Sequence, residues 1–442
     1  MRGIFGLALA TVAGLVGQSL ADTTVATPGG VNDIIITPDN ILNSTTDRTP
    51  AGSNSKVILK TNSAQDTALP ISVVNNFGDN MYVYLTGQDS SGTPVLLGAN
   101  GQFVYPSADG SGVPAEITAN IALPLGSQGS TTQITLPQAL ISARIWLAQG
   151  QLKFYTVKDG NGVSAIVEPS AANPSDPSAG VQWGFIEFNY DGTTIYANIS
   201  FVDFAGIPLG MGLTLTTGEQ QIIQGLQGGS INKICNDAKS QAAADGSIWD
   251  RLCVTSSSGQ ALRVLAPNLY ESGNPGQFGT YYDDYINQVW SQYTNNDLTI
   301  NTQTGAGNVA CRVSGDQLSC AGDNRAYPKP VIADIWGCNS GPFAIIGSDN
   351  DVHRAVVPRL CAAFDRSTLL INGGNLQPSL SATSYYTVSP TNHYSRIIHN
   401  YETNGLGYAF SYDDVNPDGE NVAGEISGSG VSNLKVTVGG WS

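Results

Sequence analysis

Two apolar-periodic runs joined by Asp191-Gly192 constrain this chain more than any other feature. Asp-Gly between such runs is a strong hairpin signal, because both central turn positions favour positive φ. A two-residue turn pairs Tyr190 with Thr193, Phe188 with Ile195, and Glu187 with Tyr196. One face then carries Glu187, Asn189, Thr194, Tyr196 and Asn198, with Phe185 at its end. The other carries Ile186, Phe188, Ile195, Ala197 and Ile199. That split is clean enough to fix which face is buried.

Two acids, Glu187 and Asp203, interrupt this otherwise apolar strand sequence. Strand interiors avoid acids, and a buried carboxylate is costly without a partner or a task. A pair of carboxylates is what sugar hydrolysis uses. Asp203, however, has the parity of the buried face. In a straight hairpin it lies roughly 24 Å from Glu187, at about 3.4 Å per residue. An inverting acid/base pair needs about 6.5–9.5 Å. The two can cooperate only if the chain breaks its strand near 200–206, by a bulge or a change of sheet. Gly206 and Pro208 suit such a turn.

The rest of the composition agrees with a loop-rich, β-rich secreted protein. Charged residues make up 12% of the chain, against 51 glycines and 22 prolines, and hydrophobic residues reach 41%, enough for a substantial core. The net charge of −16 argues against nucleic acid or an anionic membrane as partner. It is compatible with a neutral polysaccharide. Residues 1–21 have the pattern of a signal peptide: Arg2, an apolar stretch from Ile4 to Val16, and Ser19-Leu20-Ala21 before a cleavage point. No later apolar run is long enough for a transmembrane helix.

All six cysteines lie between Cys235 and Cys361. In a secreted chain they read as disulfides. Several connectivities are open, and sequence proximity favours Cys235–Cys253, Cys311–Cys320 and Cys338–Cys361. No Cys-x-x-Cys pair suggests a metal.

Composition shifts divide the chain. Residues 22–66 are rich in Thr, Asn, Ser, Asp and Pro and are expected to form a flexible N-terminal segment, with one docked strand at Asp33–Ile36. Asn43-Ser44-Thr45 within it is a glycosylation sequon in loop context. Asn198-Ile199-Ser200 lies inside a strand and is expected to stay unmodified. Residues 67–215 alternate short strands with turns, as in a sandwich or barrel. Residues 216–380 hold the cysteines and the helical patterns, at Gly218–Gln227, Lys233–Ala244, Tyr281–Tyr293 and His353–Phe364. This stretch is expected to be a smaller α/β domain inserted into the first. Residues 381–442 return to strand signals at Tyr385–Val388, Tyr408–Tyr412 and Leu434–Val438, completing a discontinuous β domain. The fold class is therefore mainly β.

Four stretches resemble glycoside hydrolase family 64, the thaumatin-like endo-β-1,3-glucanases. They are Trp183-Gly-Phe-Ile-Glu-Phe188 running on through Asp203 to Gly210; Ile335-Trp-Gly-Cys-Asn-Ser-Gly-Pro-Phe343; His353 to Phe364 with Arg366-Ser-Thr-Leu-Leu370; and Tyr394-Ser-Arg-Ile-Ile-His399 with Tyr408 to Val415. The similarity covers about residue 67 to the C-terminus. A more distant one, in Ala143-Arg-Ile-Trp146, Ile186-Glu-Phe188 and Ala409-Phe-Ser-Tyr412, runs to plant thaumatin-like proteins, a β-sandwich with an acidic cleft. Unlike them, this chain has no cysteine in its β domain.

The resemblance implies an inverting mechanism with Glu187 as general acid and Asp203 as general base. It puts substrate contacts at Asn189, Asp191 and Tyr196, and the polar face adds Thr194. The implied substrate is β-1,3-glucan, bound in a cleft between the two domains, with no cofactor and no metal, by a protein expected to be monomeric. An alternative is a non-catalytic thaumatin-like module that holds β-1,3-glucan, which would not need both acids. No Gly-x-Ser-x-Gly elbow or His-Glu-x-x-His motif occurs. His353, His393 and His399 read as structural or surface residues, and Asp413-Asp414 as a solvated turn before Asn416-Pro417 rather than a lining of the acidic cleft.

Overall fold

A computed structural model describes residues 23–48, 68–110, 112–420, 422 and 424–441. The signal-peptide segment and residues 49–66 of the N-terminal segment lie outside the described residues. Strand accounts for 31% of the structure and helix for 20%, so the chain is mainly β.

Two sheets carry most of the 68–215 region, and Ala115–Glu116, Tyr155–Lys158 and Ser164–Val167 form a third with Ile41–Leu42. The larger of the two main sheets has eight strands. Its main order is Glu425–Ser429, Thr194–Asn198, Gln182–Tyr190, Leu140–Gln149, Met81–Gln88, Pro94–Leu97 and Phe103–Val104, with Leu123–Pro124 paired beside Met81–Gln88. The smaller has five, in the order Gln220–Ile223, Leu209–Leu215, Val431–Val438, Leu69–Asn75 and Thr131–Leu136. Both recruit a C-terminal strand. The five-stranded sheet contacts the larger one through Leu209–Leu215, and the inward side chains of both, Ile186, Phe188, Ile195 and Ala197 among them, join one buried core. Those four are the apolar face of the hairpin, all at most 1% exposed.

The hairpin register differs from the sequence expectation by two residues. Tyr190 pairs with Ile195, Phe188 with Ala197, and Glu187 with Asn198. Asp191 is the cause. Its Oδ1 accepts from the amides of Thr193 (2.9 Å) and Thr194 (2.7 Å), and its own amide bonds the Thr194 carbonyl. This aspartate-capped loop is longer than the two-residue turn. An even shift leaves every side chain on its expected face.

Beyond Asn198 the chain leaves the large sheet. Phe201 donates to the carbonyl of Tyr408, and Phe204–Ala205 pairs antiparallel with Leu265 and Val264 in a different, four-stranded sheet. The break therefore falls where the acid spacing requires it. Gly206 makes the return possible. A Cβ there would collide with the backbone carbonyl of Trp183, which accepts from the Ile207 amide at 3.2 Å. Gly206→Ala is expected to cost about 1–3 kcal/mol. An unshifted denaturation midpoint would mean that the backbone gives way there at no cost.

The helices at Ser230–Asp245, Asp283–Asn295 and Asp351–Asp365 match three of the four expected. Each buries its apolar stripe, for example Ile286, Val289, Trp290 and Tyr293. Asn350 caps the third by accepting from the His353 amide. The fourth expectation, a helix over Gly218–Gln227, is corrected. Gln220–Ile223 is a strand antiparallel to Leu209–Leu215, because Gly218, at φ 90°, closes a hairpin. Tyr385–Val388 and Tyr408–Tyr412 are not strands either. Arg366 organises both segments instead: its guanidinium lies 4.2 Å over the Tyr385 ring and donates to the Asp413 carbonyl and carboxylate. Asp413 is thus fully buried, not part of a solvated turn.

The disulfides are Cys235–Cys253, Cys311–Cys320 and Cys338–Cys361. Among the described residues, Cys338, Cys361 and Asp365 are the acid and thiol groups that lie close enough for a metal, but both sulfurs are already bonded to each other. His353 stacks on Tyr327 beside Asp323, and His399 sits between Glu402 and Asp413. Both are held by hydrogen bonds within the fold, away from Glu187 and Asp203.

The described part of the N-terminal segment is tied down. The expected docked strand at Asp33–Ile36 is absent. Instead Thr24–Val25 pairs parallel with Val254 and Thr255, and Ile41–Leu42 pairs antiparallel with Val167 and Ile166. Polar sequence without periodicity gives no strand signal, yet its backbone can still complete the edges of existing sheets.

Candidate active site

Cross-strand neighbours in a sheet share a face. In this sheet, Thr86, Arg144, Glu187, Asn198 and Glu425 stand opposite one another on five consecutive strands. This row runs across the polar face of the large sheet, with Glu187 at its middle and Arg144 beside it. Arg144 Nε and Nη2 donate to Glu187 Oε1 at 3.3 and 3.1 Å. Nη2 also lies 3.7 Å from Asp203 Oδ2. Nη1 donates to Glu168 Oε2 at 3.1 Å and to the Asp39 carbonyl at 3.4 Å. The guanidinium rests 4.1 Å above the Phe185 ring, a cation–π contact in a dry setting.

One nitrogen therefore touches both sequence-predicted acids. Their nearest oxygens are no further apart than the sum of those two contacts, 3.1 and 3.7 Å, close enough for both to act on one glycosidic bond. A bulge positions Arg144. The pairing of Leu140–Gln149 with both neighbours slips between Leu140 and Arg144. Ser142 there adopts φ 47°, and its amide donates to Asn189 Oδ1 at 2.6 Å. Bulges re-aim side chains in this way.

Exposure separates the acids by role. Glu168 is fully buried, whereas Glu187 and Asp203 keep 16% and 32% of their side chains exposed. Burial alone would raise Glu168. Arg48 and Arg144, with hydrogen bonds from Arg48 and Thr86, outweigh it and hold the carboxyl below its ordinary value. Asp203 goes the other way. Desolvation, at a cavity that Asp203 shares with Trp183, Phe185 and Phe204, together with the nearby charges of Glu187 and Asp39, pushes it up to about 6 against the pull of Arg144 and Arg48. Glu425, at the end of the row, is pushed up to about 7 by burial and by Asp414.

The other sequence candidates take distinct places. Asn189 is buried and braces the Ser142 bulge. Asp191 caps its own loop. Thr194 exchanges a hydrogen bond with Ser429 at 2.7 Å, and Tyr196 is half-buried, both on the polar face. Asn198 is 1% exposed, so its sequon is out of reach of modification. Asn43 lies in a turn where Thr45 donates to its Oδ1.

Sequence reasoning missed Arg144, Glu168, Arg48, Asp39 and Glu425. For Arg144 the signal was available: a charge inside Ala-Arg-Ile-Trp-Leu-Ala breaks the same rule that singled out Glu187. Glu168 ends an apolar run in the same way.

The sequence profile described as "Beta-1,3-glucanase" matches residues 67–438. The chain belongs to glycoside hydrolase family 64. Curated relatives include a glucan endo-1,3-beta-glucosidase of Cellulosimicrobium cellulans and one of Arthrobacter sp. Each is 28% identical over 363 residues, 80% of this chain. This family member spans 62% of their length. Among solved structures, a laminaripentaose-producing beta-1,3-glucanase in complex with laminaritetraose matches with a TM-score of 0.72 and 27% identity, over 84% of this chain and 98% of that one. A family 64 domain from Clostridium beijerinckii matches with a TM-score of 0.65 at 20% identity, over 86% and 100%, a likeness of fold alone.

Proposed function

We propose that this chain hydrolyses β-1,3-glucan with inversion, with Glu187 as general acid and Asp203 as general base. The convergence of both carboxylates on the Arg144 guanidinium carries this reading, because both stay partly exposed and can reach a substrate, unlike the buried acids around His399. Glu187 gives its proton to the departing glycosidic oxygen. A water attacks the anomeric carbon from the opposite side, and Asp203 takes the proton it releases. Bulk water then restores both groups.

Thr194 and Tyr196 offer the sugar a hydroxyl and an aromatic edge, while Asn189 and Asp191 hold the turn that presents them. We further infer a thaumatin-like β domain, residues 67–215 with 381–442, around an inserted α/β domain, 216–380, with the glucan between the two. The leader over residues 1–21 and the disulfides fit a secreted protein glycosylated at Asn43. It acts as a monomer and has no nucleic-acid or membrane partner. No helix among the described residues is long and apolar enough to cross a membrane.

The test is the configuration of the first product. Proton NMR of fresh laminarin hydrolysate should show the α-anomer before mutarotation. A β-anomer would overturn the role of Asp203.

A further inference from the structure

Residues 23–48 lie outside the family match, yet they cross the catalytic row as a strap held at both ends. At one end Thr24–Val25 joins Val254 and Thr255, and the Ala26 and Thr27 amides donate to the carbonyls of Thr255 and Pro174, both at 2.8 Å. At the other, Ile41–Leu42 joins Val167 and Ile166, Gln88 donates to the Asn43 carbonyl at 2.6 Å, and the Arg48 amide donates to Ser142 Oγ at 3.2 Å. Leu42 is fully buried, and Ala26 and Asn40 are 4% and 3% exposed.

Between these anchors, Thr37, Asp39 and Asn40 form one wall of a cavity of about 40 Å³, with Arg144, Asp203 and Phe204 on the others. Its walls are mixed, with Trp146, Trp183, Phe185 and Leu269 beside the polar groups, and it has room for a water against Arg144 and Asp203. Arg48 meanwhile grips Glu168 with both terminal nitrogens, at 3.1 and 2.7 Å. Glu168 is also the buried partner of Arg144. Without Arg48, the Arg144 guanidinium alone would have to balance Glu168, Glu187 and Asp203.

We propose that the strap is a working wall of the active site: Arg48 neutralises Glu168 so that Arg144 stays available to Glu187 and Asp203, and Asp39 sets the charge environment of Asp203 from the opposite side. Arg48 is a positioning residue, acting through Glu168 and Arg144. The inference rests on the roles proposed for Glu187 and Asp203. The charged and titratable groups that act on Asp203 are Arg144 and Glu187 from the large sheet, Asp39 and Arg48 from the strap, and Tyr394 from the helix His393–Tyr401.

The two strap charges have opposite signs, so their removal moves the acid limb of the kcat/KM profile in opposite directions. Asp39→Asn takes away a negative charge, eases ionisation of Asp203, and should move the limb down by about half a pH unit. Arg48→Met takes away a positive charge and should move it up, with kcat on laminarin reduced roughly 10-fold to 100-fold and KM little changed. Arg48→Lys should recover part of that kcat. A wall that only stabilises the fold would not move the limb in opposite directions.

Limbs that coincide with that of the unaltered enzyme in both variants overturn the proposal. Should Arg48→Met not fold, the Asp39→Asn limb decides alone. Failure of the glucanase reading is a separate result: the unaltered enzyme would then leave laminarin uncut or give the β-anomer.

Discussion

Glu187→Gln should lower laminarin turnover by about 10²–10⁴-fold while the melting transition stays where it was. The amide keeps an oxygen for Arg144 to donate to and removes only the transferable proton. Glu187 is partly exposed, so the exchange leaves no buried charge unpaired. Asp203→Ala should lose a similar factor, with one difference. Azide needs no deprotonation, so it should restore part of the turnover of Asp203→Ala, giving the glycosyl azide, and none of that of Glu187→Gln. Rescue of both variants, or near-normal hydrolysis by either, would remove the acid and base assignments.

Arg144→Met should damage fold and activity together. Its side chain is 7% exposed and serves Glu168, Glu187 and Asp203 at once. Breaking a buried ion pair by deleting one partner costs about 3–5 kcal/mol, and here the deletion also leaves two acids facing each other. The loss should be read by urea denaturation in mildly alkaline and mildly acidic buffer. In the unaltered protein the folded pKa of Asp203 is raised to about 6. Its stabilising contribution is therefore complete below the ordinary carboxylate range and is lost as the pH rises through about 6. Without Arg144 the ionised form is disfavoured further, so the penalty should be larger in alkaline buffer and shrink on acidification. A penalty that does not change with pH would mean that Arg144 acts through packing alone.

What was legible in the sequence follows from how local each cause is. Glu187 stood out because an acid breaks a strand's alternation over a few residues. The three helices announced themselves by apolar spacing, and neighbouring cysteines paired with one another. The two-residue register error arose because Asp191-Gly192 advertises a tight turn, whereas the Asp191 carboxylate builds a longer one from the amides of Thr193 and Thr194. Within Gly218–Gln227, Glu-Gln-Gln-Ile-Ile is acceptable in a helix, and only pairing with Met211–Thr214 makes it a strand. The charge network could not be assembled at all. Arg48, Arg144, Glu168, Glu187 and Asp203 are far apart in the chain, and only the sheet order brings them together. The strap was hidden for a related reason: its hold on the rest depends on backbone bonds, which leave no pattern of side chains.

The bridging position of Arg144 has a consequence for the proposed cycle. Before bond cleavage Asp203 carries the negative charge and Glu187 the proton. Afterwards these are exchanged. Arg144 touches both oxygens throughout, so the charge hops from one side of a fixed guanidinium to the other, and the total it faces never changes. The net charge beside Arg144 is thus the same before and after cleavage, and one fixed cation can serve both ends of the reaction.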